Sequence, residues 1–177
     1  MSIARAAETA EYPARFQLVA AMNPCPCGYF GHPSKACQCS PAQIRRYNSR
    51  ISGPLLDRFD LRIHVPPVER AELANMQRGE ASAVIAERVQ RARQRQYERQ
   101  GDGRVNARMT SAEIEQHARP DSESAKLLDQ AMNHFSLSAR SYHRILKVAR
   151  SIADLAASES ICAAHIAEAL QYRGEEA

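Results

Sequence analysis

Apolar positions along the 177-residue chain change their rhythm near Val68. Ahead of it they come in short extended runs. Phe16, Leu18, Val19, Ala20, Ala21 and Met22 are nearly continuous, which predicts a strand over 16–22 buried on both faces of a parallel sheet. Leu61, Ile63 and Val65 alternate with Arg62 and His64, which predicts a second strand over 61–65, stopped by Pro66 and Pro67. Residues 2–11 are rich in alanine and predict a short helix, broken at Tyr12 and Pro13. A loop over 23–41 leads to a short basic helix over 42–49 with Arg45, Arg46 and Arg50 toward its end, and Gly53 and Pro54 turn the chain.

From Val68 onward the period is helical. One helix is predicted over 69–77 and a longer one over 81–100, ended by Gly101, Asp102 and Gly103. Thr110 and Glu113 form a capping box, so a helix starts there, and Pro120 limits it. Asp121 or Ser122 caps the next, with Leu127, Leu128, Ala131, Met132 and Phe135 on one face. Ser138 caps the clearest helix, in which Tyr142, Ile145, Leu146, Ala149, Ile152, Ala153 and Ala156 follow the 3.6-residue period and make a core-facing stripe. A last helix over 161–172 packs through Ile166 and Leu170.

Composition changes this picture little. The chain is 44% hydrophobic and 25% charged with a net charge of +4, which permits contact with a polyanion without requiring one. Three lysines stand against 21 arginines, a bias that genome composition explains as readily as phosphate recognition. No apolar stretch approaches the ~18 residues of a membrane span, and no signal-peptide core is present, so the cytoplasm is the expected compartment and no membrane partner is expected.

The cysteines change it more. Cys25, Cys27, Cys37 and Cys39 form C-x-C-x9-C-x-C, with Cys162 far away in a helical segment. In a reducing compartment four crowded thiols favour a metal over disulfides, and four thiolates complete a tetrahedral Zn2+ shell with no position left for water, so such a zinc is structural. The C-x-C spacing is tighter than the usual knuckle, His32 is a possible substitute ligand, and a reduced, metal-free loop is the alternative. The histidines otherwise lie scattered on predicted helices and strands. No G-x-x-x-x-G-K-[ST] array is present to cradle phosphates, and no apolar run ends in paired acids for Mg2+. Arg88, Arg91, Arg93, Arg95 and Arg99 on the long helix read as a solvated face with a Glu87 to Arg91 pair. A nucleic-acid surface is the second reading, weakened by the absence of an aromatic stacking set beyond Tyr97.

Three long motifs carry a resemblance. The stretches 20–28 (AAMNPCPCG), 51–61 (ISGPLLDRFDL) and 137–155, with Leu137, Ser138, Ala139, Arg140 and Ser141 at its start, resemble the C-terminal part of the magnesium-chelatase-related AAA+ ATPases of the ComM/YifB type, in order and over almost the whole chain. The resemblance implies a mainly α fold: a helical AAA+ lid over 68–177, preceded over 1–67 by the last strands of an incomplete α/β core with its cysteine-rich loop. It implies that Asn23 is sensor 1, Arg58 the arginine finger that reaches a neighbouring subunit's site, and Arg140 sensor 2 at the start of a lid helix. A guanidinium fork suits the finger, because it stabilises charge spreading over a transferred phosphoryl group. Without the resemblance, Asn23 reads as a strand-end turn residue, Arg58 as a surface ion pair with Asp57 or Asp60, and Arg140 as a first-turn residue.

The complete protein is then expected to hydrolyse ATP with Mg2+ in a ring of like subunits, a hexamer, coupled to moving DNA as in branch migration during natural transformation. The family's Walker A and Walker B segments and its Lon-protease-like domain are expected ahead of Met1, so this chain alone is not expected to hydrolyse ATP. Without the strand that separates them in that sheet, the two predicted strands are expected to carry unpaired edges; 68–172 is then expected to be the stably folded part, and 1–67 to be mobile, re-paired or propped by another chain. A non-catalytic, zinc-stabilised module binding nucleic acid or protein is the alternative, with a subunit of a true magnesium chelatase as another.

Overall fold

The computed structural model describes residues 2–5, 8–13, 16–68, 79–101 and 103–173. Its contacts divide the chain into two compact units, Met1–Arg50 and Ile51–Ala177. Helix dominates the second. Among the described residues there are seven α-helices, one 3-10 turn and a single two-stranded sheet. The fold is mainly α, and the helix expected over 69–77 lies outside the described residues.

The first unit opens on an antiparallel hairpin, β1 (Ser2–Arg5) and β2 (Glu8–Glu11), in which Ile3 pairs with Ala10 and Ala4 with Thr9. This corrects the helix expected over 2–11. A ten-residue helix is below the ~12–15 residues at which even alanine-rich sequences hold alone, and Ile3 is the one large apolar residue it has to offer a core. Antiparallel pairing satisfies the backbone locally instead. Helix α1 (Pro41–Asn48) begins on Ser40, whose hydroxyl accepts from the Gln43 amide while the Gln43 side chain accepts from the Ser40 amide.

The apolar run over 16–22 joins no ladder among the described residues, nor does 61–65, so the two expected strands are not formed as strands. Phe16 is 76% exposed and Val19 84%. A strand of the buried parallel kind needs a hydrogen-bonded neighbour on each side and cover on both faces, and the described chain supplies neither.

The second unit is a helical bundle. Helix α2 (Gly53–Leu56) is followed by α3 (Ser82–Gln100), the 3-10 turn Asn106–Arg108, α4 (Ser111–His117), α5 (Ser122–His134), α6 (Ala139–Leu155) and α7 (Ala163–Gln171). Their starts follow the caps. Thr110 and Glu113 form the expected box, Asp121 accepts from the Ser124 amide, and Ser138 accepts from the Ser141 amide. Helix α6 is the hub, packing on α7, α3, α4 and the 3-10 turn, while α5 packs on α7. Ile145, Leu146, Ala149 and Ala153 from its predicted stripe meet Leu128, Ile161 and Ile166 in the core. Burying one such large side chain contributes about 1.5–3 kcal/mol. Ala156, at the end of the stripe, is exposed because the helix has stopped at Leu155.

A polar node sits at the other edge of this core. Asp154 is fully buried and accepts from Arg150 Nε at 3.2 Å, from Asn106 Nδ2 at 2.8 Å and from Arg99. The node ties α3 to α6 and the 3-10 turn, since Arg99 belongs to α3 and Asn106 opens that turn. Arg150 continues to the carbonyls of Ser158 and Glu159, so the charges and dipoles are mutually satisfied.

Candidate functional site

The four cysteines of the first unit converge. Two tight bends bring them together: Gly28 and Gly31 take φ of +82° and +77°, a region that disfavours side chains, and the Gly28 amide closes a turn on the Cys25 carbonyl at 3.0 Å. Cys25 Sγ lies 3.3 Å from Cys27 Sγ and 3.7 Å from Cys37 Sγ, and Cys27 and Cys37 are 3.5 Å apart. With Cys39, all four sulfurs fall within 4.8 Å of one another, and none forms a disulfide. A tetrahedral zinc with bonds of about 2.3 Å needs sulfurs roughly 3.8 Å apart, so the donor set fits the ion.

The surroundings of the sulfurs fit it too. The Phe30 amide donates to Cys25 Sγ at 3.3 Å. Backbone hydrogen bonds, from Tyr29 first and then Gln38, bring the Cys27 thiol down to about 6. Cys37 is pushed up to about 12: the Cys39 backbone pulls it down, but desolvation and the crowd of Cys27, Cys25 and Cys39 outweigh that contact. Cys39 is raised too, its Cys27 backbone contact being outweighed by desolvation and the sulfurs of Cys27 and Cys25. Four thiols this close cannot all ionise without a cation to relieve them. His32 takes no part, because its Nδ1 accepts from the Ser34 and Lys35 amides, each at 3.2 Å. Asn23 stands at the entrance of this loop, exposed, with its carboxamide against Gly28: a Cβ built on that glycine would lie 3.8 Å from Asn23 Nδ2.

The other two predicted residues belong to the second unit. Arg58 follows α2, and its guanidinium donates back to the Pro54 carbonyl at 2.8 Å from an exposed position. The ion pair with Asp57 or Asp60 that the sequence allows does not form. Asp57 is taken by Arg173 at 3.0 Å and Asp60 by Arg144 at 2.6 Å. Arg140 is the second residue of α6, exposed at the helix start. It lines a cleft of about 380 Å3 with Asp60, Ala107, His143, Arg144 and Lys147.

That cleft is strongly basic. Arg140, His143, Arg144 and Lys147 recur at the three- and four-residue spacing that puts them on one face of α6. Burial holds Lys147 below the ordinary lysine value, with the Arg144 charge adding to that and Asp60 opposing it. The Lys147 ammonium donates to the Ala107 carbonyl at 3.1 Å. Such a face suits an anion with several oxygens. The structure thus joins the Arg58 turn to the Arg140 helix, places Asn23 with the cysteines in the other unit, and adds Arg144, Lys147 and Arg173, which sequence reasoning passed over. For Arg144 and Lys147 the signal was there, in their spacing from Arg140. For Arg173, past the end of the last helix, there was none.

The arginines of α3 are largely spent within the protein. Arg88 holds Glu80 through two hydrogen bonds of 2.9 and 3.0 Å, Arg91 pairs with Glu87 at 3.5 Å, and Arg99 goes to Asp154. No helix among the described residues is long and apolar enough to cross a membrane.

Comparison with known proteins gives the family. The chain matches the model described as magnesium chelatase, subunit ChlI, over residues 1–73, and that described as magnesium chelatase, subunit ChlI C-terminal, over residues 79–173. It is 48% identical over 172 residues to competence protein ComM of Haemophilus influenzae, which covers 97% of this chain and 33% of that protein. It is 46% identical over 164 residues to the uncharacterized protein YifB of Escherichia coli, covering 92% of this chain and 31% of that one. An uncharacterized protein of Mycobacterium bovis is 39% identical over 173 residues. The chain therefore spans about a third of the length of the curated relatives it matches, with both family models falling in sequence along it, and it belongs to the magnesium-chelatase-related AAA+ family of the ComM/YifB type.

Proposed function

We propose that this chain supplies sensor 1 (Asn23), the arginine finger (Arg58) and sensor 2 (Arg140) to ATP hydrolysis in a ring of like subunits, a hexameric motor acting on DNA. The observation that carries this is the basic cleft, where Arg140 and three further basic side chains of one helix face gather beside the Arg58 turn. Cationic groups fixed before the reaction stabilise phosphoryl charge without reorganising, and that is most of what a phosphoryl-transfer site asks of its protein. ATP and Mg2+ would be held by Walker A and Walker B segments supplied with the rest of the ring, since the sequence has neither. Residues 1–67 are read as the end of the α/β core and 68–177 as the lid. Zinc on Cys25, Cys27, Cys37 and Cys39 would shape the loop that begins at Asn23, and it would do no chemistry, having no open position. The name of the Haemophilus relative, a competence protein, is what favours DNA as the cargo.

The test is a chimera in which this chain replaces the matching third of the Haemophilus competence protein. ATP hydrolysis stimulated by DNA is expected, with about 1,000-fold or greater loss on Arg58→Ala, the range in which an arginine finger acts, and a loss on Arg140→Ala as well. The 177-residue chain alone is expected to show no turnover. A chimera that does not hydrolyse ATP, or whose hydrolysis survives both substitutions, overturns the reading. So does turnover by the isolated chain that Arg58→Ala abolishes.

A non-catalytic interaction module is the second reading, favoured by the four-sulfur cluster, which needs no nucleotide to be formed. It predicts a chimera indifferent to Arg58 and Arg140 but dependent on the cysteines.

A further inference from the structure

The turn that carries Arg58 is held from one side by two arginines, Arg144 and Arg173, that are not among the three residues given a named role in the proposed reaction. Arg144 of α6 donates to the Arg58 carbonyl and to Asp60 Oδ1, the latter at 2.6 Å. Arg173, just past α7, donates to the Phe59 carbonyl at 3.1 Å, to Asp57 Oδ1 at 3.0 Å and to the Ser141 hydroxyl of α6 at 2.9 Å. The Arg62 amide then donates to the Tyr172 carbonyl at 2.7 Å. Every residue from Asp57 to Asp60 is therefore gripped, through main chain or side chain, by an arginine rooted in the helical bundle, and Arg58 itself is gripped only by its carbonyl. Its guanidinium is left pointing to the exposed Pro54 carbonyl.

We infer that Arg144 and Arg173 are positioning residues for Arg58. They fix the finger turn to the sensor 2 helix, so that Arg58 and Arg140 travel as one body toward an incoming phosphate. The inference rests on the reading of Arg58 as the finger, and it adds that the lid, through these two arginines, sets where the finger points. The chemistry of the grip suits the task. Arg173 bonds the Phe59 carbonyl through Nη1 and the Asp57 carboxylate through Nη2, a planar fork that fixes direction as well as distance, which a lysine ammonium cannot do; Arg144 spans its carbonyl and carboxylate through Nη1. Arg173 is 6% exposed and pairs with Asp57, whose side chain is 42% exposed, so the guanidinium is held within the bundle while its partner stays at the surface with the turn. Arg144, with a side chain 23% exposed, is the less structural of the two. It lies four residues after Arg140, one helical turn along the same face, which makes the path from finger to sensor a single side chain long.

The experiment is a mutant cycle in the chimera, with exchange measurements on the 177-residue chain as it stands. Misplacing a reacting group by about 1 Å costs up to about 100-fold in rate. Arg144→Met should therefore lower ATP turnover by roughly 10-fold to 100-fold with KM for ATP within about threefold of the parent, since it moves a group that acts at the transition state rather than one that binds nucleotide. Arg144→Lys should fall between. In an Arg58→Ala background Arg144→Met should cost no more than about twofold further, because it acts through a side chain already removed. In the isolated chain Arg144→Met should speed amide exchange at Arg58, Phe59 and Arg62 by roughly tenfold, while Ala149 and Ala153 amides in the core keep their protection. Asp60→Asn, which loosens the grip from the other end without touching α6, should reproduce both effects in smaller measure.

A chimera sensitive to Arg58→Ala but unmoved by Arg144→Met overturns this inference and leaves the finger reading standing. Losses that multiply fully in the double variant also overturn it, since Arg144 would then act by itself on the nucleotide. A chimera indifferent to Arg58→Ala overturns both.

Discussion

Asp154→Ala is the substitution with the largest cost that can be worked out from the structure without reference to catalysis. The carboxylate is fully buried and faces two guanidiniums, Arg150 with a side chain 3% exposed and Arg99 with one 20% exposed. Removing it leaves their charges unequally stranded. Arg99 can swing toward water. Arg150 cannot, and although it keeps the carbonyls of Ser158 and Glu159, neutral acceptors do not replace an anion. Breaking a buried pair in this way costs about 3–5 kcal/mol, against a total stability for a domain of roughly 5–15 kcal/mol. The Asn106 carboxamide, 1% exposed, loses an acceptor as well, which moves the value toward the upper end.

At about 4 °C per kcal/mol for a unit of this size, the thermal midpoint should fall by roughly 12–20 °C. The assay is thermal and urea unfolding followed by far-ultraviolet circular dichroism, with Glu87→Ala as the control. Its exposed pair with Arg91 should be worth less than about 0.5 kcal/mol. A second variant sharpens the cause. Asp154→Leu combined with Arg150→Met removes both buried charges, and it should be more stable than Asp154→Leu alone. If Asp154→Ala costs under about 1 kcal/mol, the value of a surface pair, or if the double variant is the worse of the two, the buried-charge reasoning is wrong.

Two further outcomes are expected. Protein purified without added metal should carry about one equivalent of zinc per chain, and Cys37→Ser should reduce it sharply; under about a tenth of an equivalent in the parent would rule out the four-sulfur site. Stability should fall on acidification through the caps. Glu113 is held below its ordinary value chiefly by the Thr110 backbone amide and Asp121 by that of Ser124, so both contribute stability that is present above the unfolded values of 4.5 and 3.8 and is lost as pH drops through the lower folded ones. Asp121→Ala should therefore flatten the acid limb of a plot of thermal midpoint against pH, and an unchanged limb would show that the cap carries no such linkage.

What could be read from the residues was whatever is local. The capping boxes and the α6 stripe need only i to i+4 neighbours, and Thr110, Glu113, Ser138, Ile145 and Ala149 do what their spacing says. The cysteine cluster was legible for the same reason, four ligands close enough in sequence to share one loop. Strands are different. Whether 16–22 becomes one depends on backbone partners that its own pattern does not specify, and periodicity reports burial without reporting who provides it. The Asp154 node was hidden because Arg99, Asn106, Arg150 and Asp154 look like surface residues one at a time, and only the crossing of α3 over α6 makes them a unit. The role of Arg173 depends likewise on where α7 ends in space.

The acids flanking Arg58 show how a local reading goes wrong even when the residues are the right ones. With Asp57 before it and Asp60 two places after, the sequence offers the arginine two carboxylates, and either would neutralise it. Had one done so, an incoming phosphate would meet a pair with little net charge and would have to displace a charge-assisted bond, roughly twice as strong as one to a neutral acceptor. In the folded chain the carboxylates are engaged instead by Arg173 and Arg144, and Arg58 rests on the neutral Pro54 carbonyl. Among the described residues no acid compensates its charge, and its hydrogen bond stays cheap to exchange, at about 0.5–1.5 kcal/mol net. The two acids thus serve the arginine by being occupied elsewhere. On this argument Arg144→Met has a second consequence: it frees Asp60 next to Arg58, so part of the lost turnover should return in Arg144→Met combined with Asp60→Asn. A double variant slower than Arg144→Met alone would show that Asp60 does not quench Arg58 in its proposed role.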